Sequence, residues 1–188
     1  GDLVTIAAQR AQARALFDAG VVAADPVAAT TRALAQSPVA ATLIVAVGKA
    51  ARGMAQAAMA ASSDVPCLIV TNYENGGSAL LPAPVAGVSL AEKAAVNDLL
   101  LGSGADIMQM NLVRQHLSRL KGGGFLRSAA PVVVTALILS DVMGDDLRAV
   151  ASGPTVAPLG TRAQARTILQ SLDIWEKCPA TVRSHLSS

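Results

Sequence analysis

The chain has 188 residues, of which 52% are hydrophobic and 15% are charged, so it can bury the core of one globular domain. Its formal net charge of +2 comes without a run of lysines or arginines, which excludes the basic surface expected of a protein that binds nucleic acid or anionic lipid. We therefore expect a small-molecule partner, no nucleic acid and no membrane.

The sequence predicts a cytosolic location. The N-terminal residues GDLVTIAAQRAQ lack the basic and apolar segments of a secretory signal, and the longest apolar stretches are about half of the roughly 20 residues that span a membrane. Cys67 and Cys178 lie far apart without CxxC spacing, which favours reduced thiols over a disulfide or a zinc site.

Short apolar runs alternate with helical segments along the chain. Length and β-branched content predict strands for TLIVAV, CLIVT and VVVTALIL, at residues 42–47, 67–71 and 132–139. Asp25 before a proline, Ser89 and Thr161 are N-caps, and they help predict helices at residues 4–20, 26–37, 90–102 (or to 104), 106–120 and 161–172. Continuous apolar strands separated by helices indicate an α/β fold, a three-layer α/β/α domain with a parallel sheet.

Ligands of such sheets bind beyond the carboxyl ends of the strands. After the first predicted strand, Gly48 permits a tight turn and Lys49 begins a helix, beside amides that suit an anion such as phosphate. The alternative is a surface lysine that only opens the helix. Farther along, Gly76, Gly77 and Ser78 form a glycine-rich turn that matches neither a P-loop nor a dinucleotide fingerprint.

Three aspartates, Asp141, Asp145 and Asp146, follow the third predicted strand closely. Carboxylates at this edge can hold Mg²⁺, which often takes one or two protein carboxylates together with substrate phosphates. Alternatively, they enrich a helix N-terminus in acids that the helix dipole favours. Asp146 fits this alternative at least as well, whereas Asp141, directly at the strand end, fits it poorly.

The helix predicted at residues 106–120 carries a cationic face. At about 100° per residue, four polar side chains fall within roughly 80° of one another: Asn111, Arg114, Ser118 and Lys121. The face runs into three glycines from Gly122 onward, whose N–H groups can approach an anion unobstructed. The alternative is a solvated helix face that ends at glycine. His116 projects away from this face, and His185 is predicted to lie at the surface.

Five motifs stand out along the chain: VGKAARGMAQAA, VTNYEN, GGSALL, MNLVRQHLSRLKGG and LILSDVMGDDLRAVASGPT. They resemble those of the class II glycerate 2-kinases, whose second domain is called MOFRL and whose bacterial members are often named hydroxypyruvate reductases. The resemblance covers nearly the whole chain. It implies a Rossmann-like N-terminal domain, here residues 1–188, and a smaller C-terminal domain, with ATP, Mg²⁺ and D-glycerate in the cleft between the two.

Two departures from the family stand out. Family members continue beyond TVRSHLSS into the second domain, so the MOFRL domain is absent from these residues. They also carry a further segment between motifs like TNYEN and GGSALL, whereas Asn75 here joins Gly76 directly. We therefore predict a gap in the chain between residues 75 and 76.

The resemblance implies ATP-dependent phosphorylation of D-glycerate at its 2-hydroxyl, giving 2-phosphoglycerate. Lys49, Arg114 and Asp141 would be catalytic, with Asp141 near the metal or accepting the hydroxyl proton. Asp141 and Asp145 would hold the metal. The residues implied for substrate or phosphate binding are Gly76, Gly77, Ser78, Asn111, Lys121 and Gly122.

Two alternatives stay open at this point. An NAD(P)H-dependent hydroxypyruvate reductase should show GxGxxG after a strand and an acidic residue roughly 20 positions on, and this chain shows neither. An inactive ligand-binding domain is the other. The residues do not decide regioselectivity, nucleotide or metal preference, or oligomeric state, for which a homodimer is one option.

Overall fold

The structure is a computed structural model that describes residues 5–62, 64–71, 80–140 and 146–188. The chain divides into two compact units, Gly1–Glu74 and Asn75–Ser188. The elements in chain order are α1 (Ile6–Ala23), α2 (Pro26–Gln36), β1 (Ile44–Val47), α3 (Ala51–Ala61), β2 (Cys67–Val70), α4 (Leu90–Gly102), α5 (Ile107–His116), α6 (Gly124–Ala129), α7 (Arg162–Ser171) and α8 (Ala180–Ser187). In the described parts, no helix is long and apolar enough to cross a membrane.

The first unit contains a parallel pair of strands. β1 pairs with β2, with Ile44 opposite Cys67 and Val47 opposite Val70. Helix α3 packs on both strands and α2 packs on α3. The predicted mixed α/β fold with a parallel sheet is confirmed. Of the three-layer arrangement, the described part of this unit shows the sheet and one helical side, while Val45 and Leu68 are exposed.

The strand predicted at residues 132–139 is wrong, because this segment has no regular secondary structure. Val132 and Val133 are exposed, and the backbone hydrogen bonds between described residues form no ladder along the segment. An apolar β-branched run favours extended backbone, but a strand also needs a partner for its N–H and C=O groups. Local sequence does not provide that partner.

The second unit contains the larger core, where α4, α5, α7 and α8 bury their apolar faces. Its fully buried side chains include Val96, Leu100, Val113, Leu117, Leu169 and Val182. Three capping boxes open α4, α5 and α7, at Ser89, Asp106 and Thr161; the sequence predicts Ser89 and Thr161 as N-caps. These caps fix where each helix begins and therefore which residues face the core.

Helix α5 ends at His116, four residues earlier than predicted. The Ser118 hydroxyl accepts hydrogen bonds from the amides of Leu120 and Lys121, both at 3.3 Å, and the Arg119 amide donates to the Ala83 carbonyl at 2.9 Å. These bonds compete with the helical ladder. Ser118 and Lys121 therefore lie in the turns that follow the helix.

Candidate anion site

The polar face predicted around α5 is buried. Asn111 and Lys121 are each 4% exposed, Ser118 is 5% exposed, and Arg114 is half-buried. A solvated helix face would leave these side chains in water, so that alternative is wrong. Burying polar and charged groups costs free energy unless they are paired or serve a ligand.

Asn97 on α4, which is not among the residues predicted from the sequence, orients Arg114. Its Oδ1 accepts a hydrogen bond from Arg114 Nε at 2.9 Å and a second one from Arg114 Nη2. Because the amide is neutral, it holds the guanidinium without cancelling its charge. Asn97 lies one helical turn after Lys93, and this spacing on one face of a capped helix was the available signal.

Lys93, Arg114 and Lys121 form a group that we call the cationic cluster. Burial first, and then the charges of Lys93 and Arg114, together lower the pKa of Lys121 to about 7. Burial also lowers the pKa of Arg114, and burial followed by the Arg114 charge lowers the pKa of Lys93. These shifts show that the three positive charges repel one another in a partly dry environment, where an anion would stabilise them.

The cationic cluster adjoins the loop that contains Ala151, Ser152 and Gly153, which we call the strained loop. The Ser152 hydroxyl donates to Asn111 Oδ1 at 3.2 Å. Ala151 and Ser152 have positive φ angles of 51° and 61°, which cost residues with a Cβ about 1–3 kcal/mol each. Such backbone strain persists only where surrounding contacts hold it, and it often accompanies functional sites.

The glycines after Lys121 serve packing. The amides of Gly122 and Gly123 donate to the carbonyls of Ser152 and Gly153 at 3.0 and 2.8 Å, and the Gly124 amide donates to Lys121 O at 3.0 Å. The N–H groups predicted to be open for an anion are therefore already bonded, those of Gly122 and Gly123 to carbonyls of the strained loop and that of Gly124 within its own turn. A Cβ on Gly124 would lie 2.0 Å from the Arg119 carbonyl oxygen, so a side chain does not fit there.

Lys49 belongs to the first unit, in the turn from β1 to α3. Gly48 forms the predicted tight turn: its φ is 119°, its amide donates to Val70 O at 3.0 Å, and its carbonyl accepts from Thr71 Oγ1 at 2.6 Å. Lys49 lies in this turn and does not begin the helix as predicted, because α3 starts at Ala51. The Lys49 residue is exposed. A positive φ at this place favours glycine, which explains how the chain turns directly from strand to helix.

The predicted metal ligands and the glycine-rich turn lie outside the described residues: Asp141, Asp145, Gly76, Gly77 and Ser78. Asp146 is described, and its carboxylate pairs with Arg148 Nη2 at 2.8 Å and accepts from the Arg148 amide at 3.0 Å. The side-chain bond from Arg148 is the main cause that lowers the pKa of Asp146. Across the described ranges, no group of three or more histidine, cysteine or acidic side chains could hold a metal ion.

The chain matches one family model and several named proteins. Residues 12–75 and 75–187 match a domain of unknown function, DUF4147. A Pyrococcus horikoshii protein named glycerate 2-kinase is 43% identical over 127 residues, covering 68% of this chain and 28% of that protein. Rattus norvegicus glycerate kinase is 42% identical over 139 residues, covering 74% of this chain and 26% of that protein. An Agrobacterium vitis protein provisionally named hydroxypyruvate reductase is 36% identical over 205 residues, covering 83% and 47%.

Two crystal structures are similar to this chain. A Pyrococcus horikoshii protein has a TM-score of 0.80 and 30% identity, covering 95% of this chain and 54% of that one. Thermotoga maritima glycerate kinase has a TM-score of 0.71 and 28% identity, covering 92% and 55%. The chain thus spans about half the length, or less, of these relatives. It belongs to the DUF4147 family, the N-terminal domain of class II glycerate kinases.

Proposed function

We propose that the chain is the N-terminal part of a kinase that transfers a phosphoryl group from ATP to the 2-hydroxyl of D-glycerate. The observation that carries the proposal is the cationic cluster of Lys93, Arg114 and Lys121, partly buried beside a strained loop. The relatives named glycerate kinase support it. A cytosolic location and a homodimer remain predictions.

The cationic cluster suits both anions of this reaction, the glycerate carboxylate and the phosphoryl group. Phosphoryl transfer asks little covalent chemistry of the protein and depends on positioning and on positive charge around the transferred group. Arg114 would bind the carboxylate or phosphoryl oxygens in a fixed orientation, and Lys121 would add a charge that a bound anion stabilises. Gly122 would contribute shape, because it lets Gln115 and Pro158 approach the turn.

The remaining parts of the site stay proposals. Mg²⁺ prefers carboxylate oxygens, so Asp141 and Asp145 suit it chemically, and the bound ion would neutralise phosphate charge. Asp141 would otherwise accept the proton of the 2-hydroxyl. Lys49, with Gly76, Gly77 and Ser78, would contact phosphate.

We also propose that the full chain carries further residues between 75 and 76, so its intact mass should exceed that of the 188 residues.

The test is an assay for ADP release with D-glycerate and MgATP, on the full-length protein and two variants. Arg114→Met should lower kcat/KM by about 100-fold, because it removes a charge that stabilises the transition state. Arg166→Met, an exposed arginine on α7 in the same unit, is the matched control and should retain activity. NADH oxidation with hydroxypyruvate, without glycerate-dependent ADP release, would show that the protein is a reductase instead.

A further inference from the structure

Both histidines of the chain line one cavity on another face of α5. The cavity has a volume of about 370 Å³, and His116, His185, Arg119, Arg127 and Arg162 lie in its wall. We call it the basic cavity. None of the described residues that line it is acidic. Neither histidine is predicted from the sequence to lie in a site, and His185 is half-buried in the structure.

The three arginines of the basic cavity are anchored at one nitrogen each. Arg119 Nε donates to the Pro84 carbonyl at 3.0 Å and Arg127 Nη1 donates to the Gly122 carbonyl at 3.1 Å. Arg162 Nη1 donates to Ser188 Oγ at 3.1 Å. A guanidinium has five N–H donors, so each arginine keeps donors for a ligand. Among ion pairs of described residues, none involves these three arginines.

The two histidines are joined to the same wall. His116 Nε2 lies 2.9 Å from the Gly160 carbonyl oxygen, and His185 Nε2 lies 2.9 Å from the His116 carbonyl oxygen. Carbonyl oxygens only accept hydrogen bonds, so both Nε2 atoms carry the proton. Burial is the main cause that lowers the pKa of His116 and of His185, and the charge of Arg162 lowers both further.

The basic cavity is separate from the cationic cluster. The charges that act on His116 are those of Arg162, His185 and Arg127, whereas those that act on Lys121 are Lys93 and Arg114. Arg114 and Lys121 do not appear among the described residues of the cavity wall. The two sets of charges therefore form two places for an anion rather than one.

We propose that the basic cavity binds a phosphate group, as a free ion or as a small phosphate ester. Three permanent positive charges without a carboxylate in the described wall favour a dianion over a single carboxylate, and the planar guanidinium matches phosphate oxygens. Ser118 adds a buried hydroxyl to the wall. Its Oγ accepts from two backbone amides, which leaves its O–H as a donor. The arginines are exposed, so the ligand can enter from solvent.

The two histidines make the test specific, because both line the basic cavity and each signal is assigned by its loss in His116→Gln or His185→Gln. Their titrations are followed by NMR on the full protein, in sodium sulfate and in sodium chloride of equal ionic strength. Sulfate is a tetrahedral dianion that keeps its charge while histidine titrates. We expect sulfate to raise both pKa values by about one unit, since a nearby negative charge favours imidazolium. Unchanged values in sulfate would overturn the proposal.

Two ligands then distinguish the source of the phosphate group. Inorganic phosphate and glycerol 2-phosphate are titrated at one pH while the histidine shifts are followed. Equal affinities indicate a site for the free ion, and tighter binding of glycerol 2-phosphate indicates an ester. If neither compound moves the histidine signals, the proposal is wrong.

Charge variants separate a specific site from general attraction. Arg162→Gln should weaken phosphate binding about tenfold, as expected for a lost charge-assisted hydrogen bond. Arg166→Gln, one turn farther along α7 and outside the described wall, should leave it unchanged; equal losses in both variants would overturn the proposal. Arg114→Met should not alter the histidine response, so failure of this site and failure of the proposed kinase activity can be told apart.

Discussion

At the scale of single residues, Asn97 is a neutral hydrogen-bond acceptor for the half-buried Arg114, and its neutrality can be tested. Asn97→Asp keeps the shape and the bonds to Arg114 but adds a negative charge, so we expect a higher KM for glycerate, by about tenfold. The same charge should raise the pKa of Lys121 above its value of about 7. NMR of the lysine side chain and steady-state kinetics measure the two effects.

Two further variants control this prediction. Gln170→Glu makes the same change of charge on an exposed position of α7 and should alter neither quantity. Asn97→Ala keeps the Arg114 charge but removes its orientation, so it should raise the KM without raising the Lys121 pKa. If Asn97→Asp and Asn97→Ala behave alike, Asn97 does not act by preserving the charge of Arg114.

Lys121 should make stability depend on pH. Its pKa is about 7 in the folded chain and near its ordinary value of 10.5 in the unfolded chain. Between these values the unfolded chain binds more protons, so the free energy of unfolding should rise as pH increases from about 7 to 10.5. Urea denaturation at both ends of this range measures the rise. In Lys121→Met the rise should be smaller, and an identical rise would assign it to other groups.

At the scale of elements, Gln115 fastens the strained loop to α5. Its Nε2 donates to the carbonyls of Arg148 and Ser152 at 2.9 and 3.1 Å, and its Oε1 accepts from the Leu159 amide at 2.8 Å. Gln115→Ala should lower the free energy of unfolding by about 2–3 kcal/mol, because buried backbone groups lose their partners. Urea denaturation tests this against exposed Gln170→Ala, which should change it by less than about 0.5 kcal/mol. Equal effects would contradict the role assigned to Gln115.

Some secondary-structure elements can be predicted from local sequence signals alone. The N-caps Asp25, Ser89 and Thr161 mark helices that the structure confirms, because capping depends on bonds to amides two or three residues away. The apolar run at residues 132–139 carries an equally clear local signal and is not a strand. Strand formation depends on pairing with a distant segment, which no local pattern guarantees.

At the scale of the whole molecule, stability should be unequally distributed. The second unit contains the fully buried side chains of α4, α5, α7 and α8, whereas α1 buries no side chain. We expect the amides of Val113, Leu169 and Val182 to exchange with deuterium slowest and those of Ile6–Ala23 to exchange among the fastest, since a helix without packing is marginal in water. Hydrogen exchange followed by NMR checks this, and strong protection of α1 would contradict it.

The sequence by itself determined the capped starts of α2, α4 and α7, the presence of a parallel sheet and the family. It also placed Asn111 and Arg114 on one face of α5, because helical periodicity is local, whereas Lys121 lies in the turns after the helix, beyond the reach of that periodicity. The tertiary structure decided that this side is buried, that Asn97 and Lys93 from α4 join it, and that both histidines share the basic cavity. These facts depend on which helices pack together, and packing joins residues far apart in sequence.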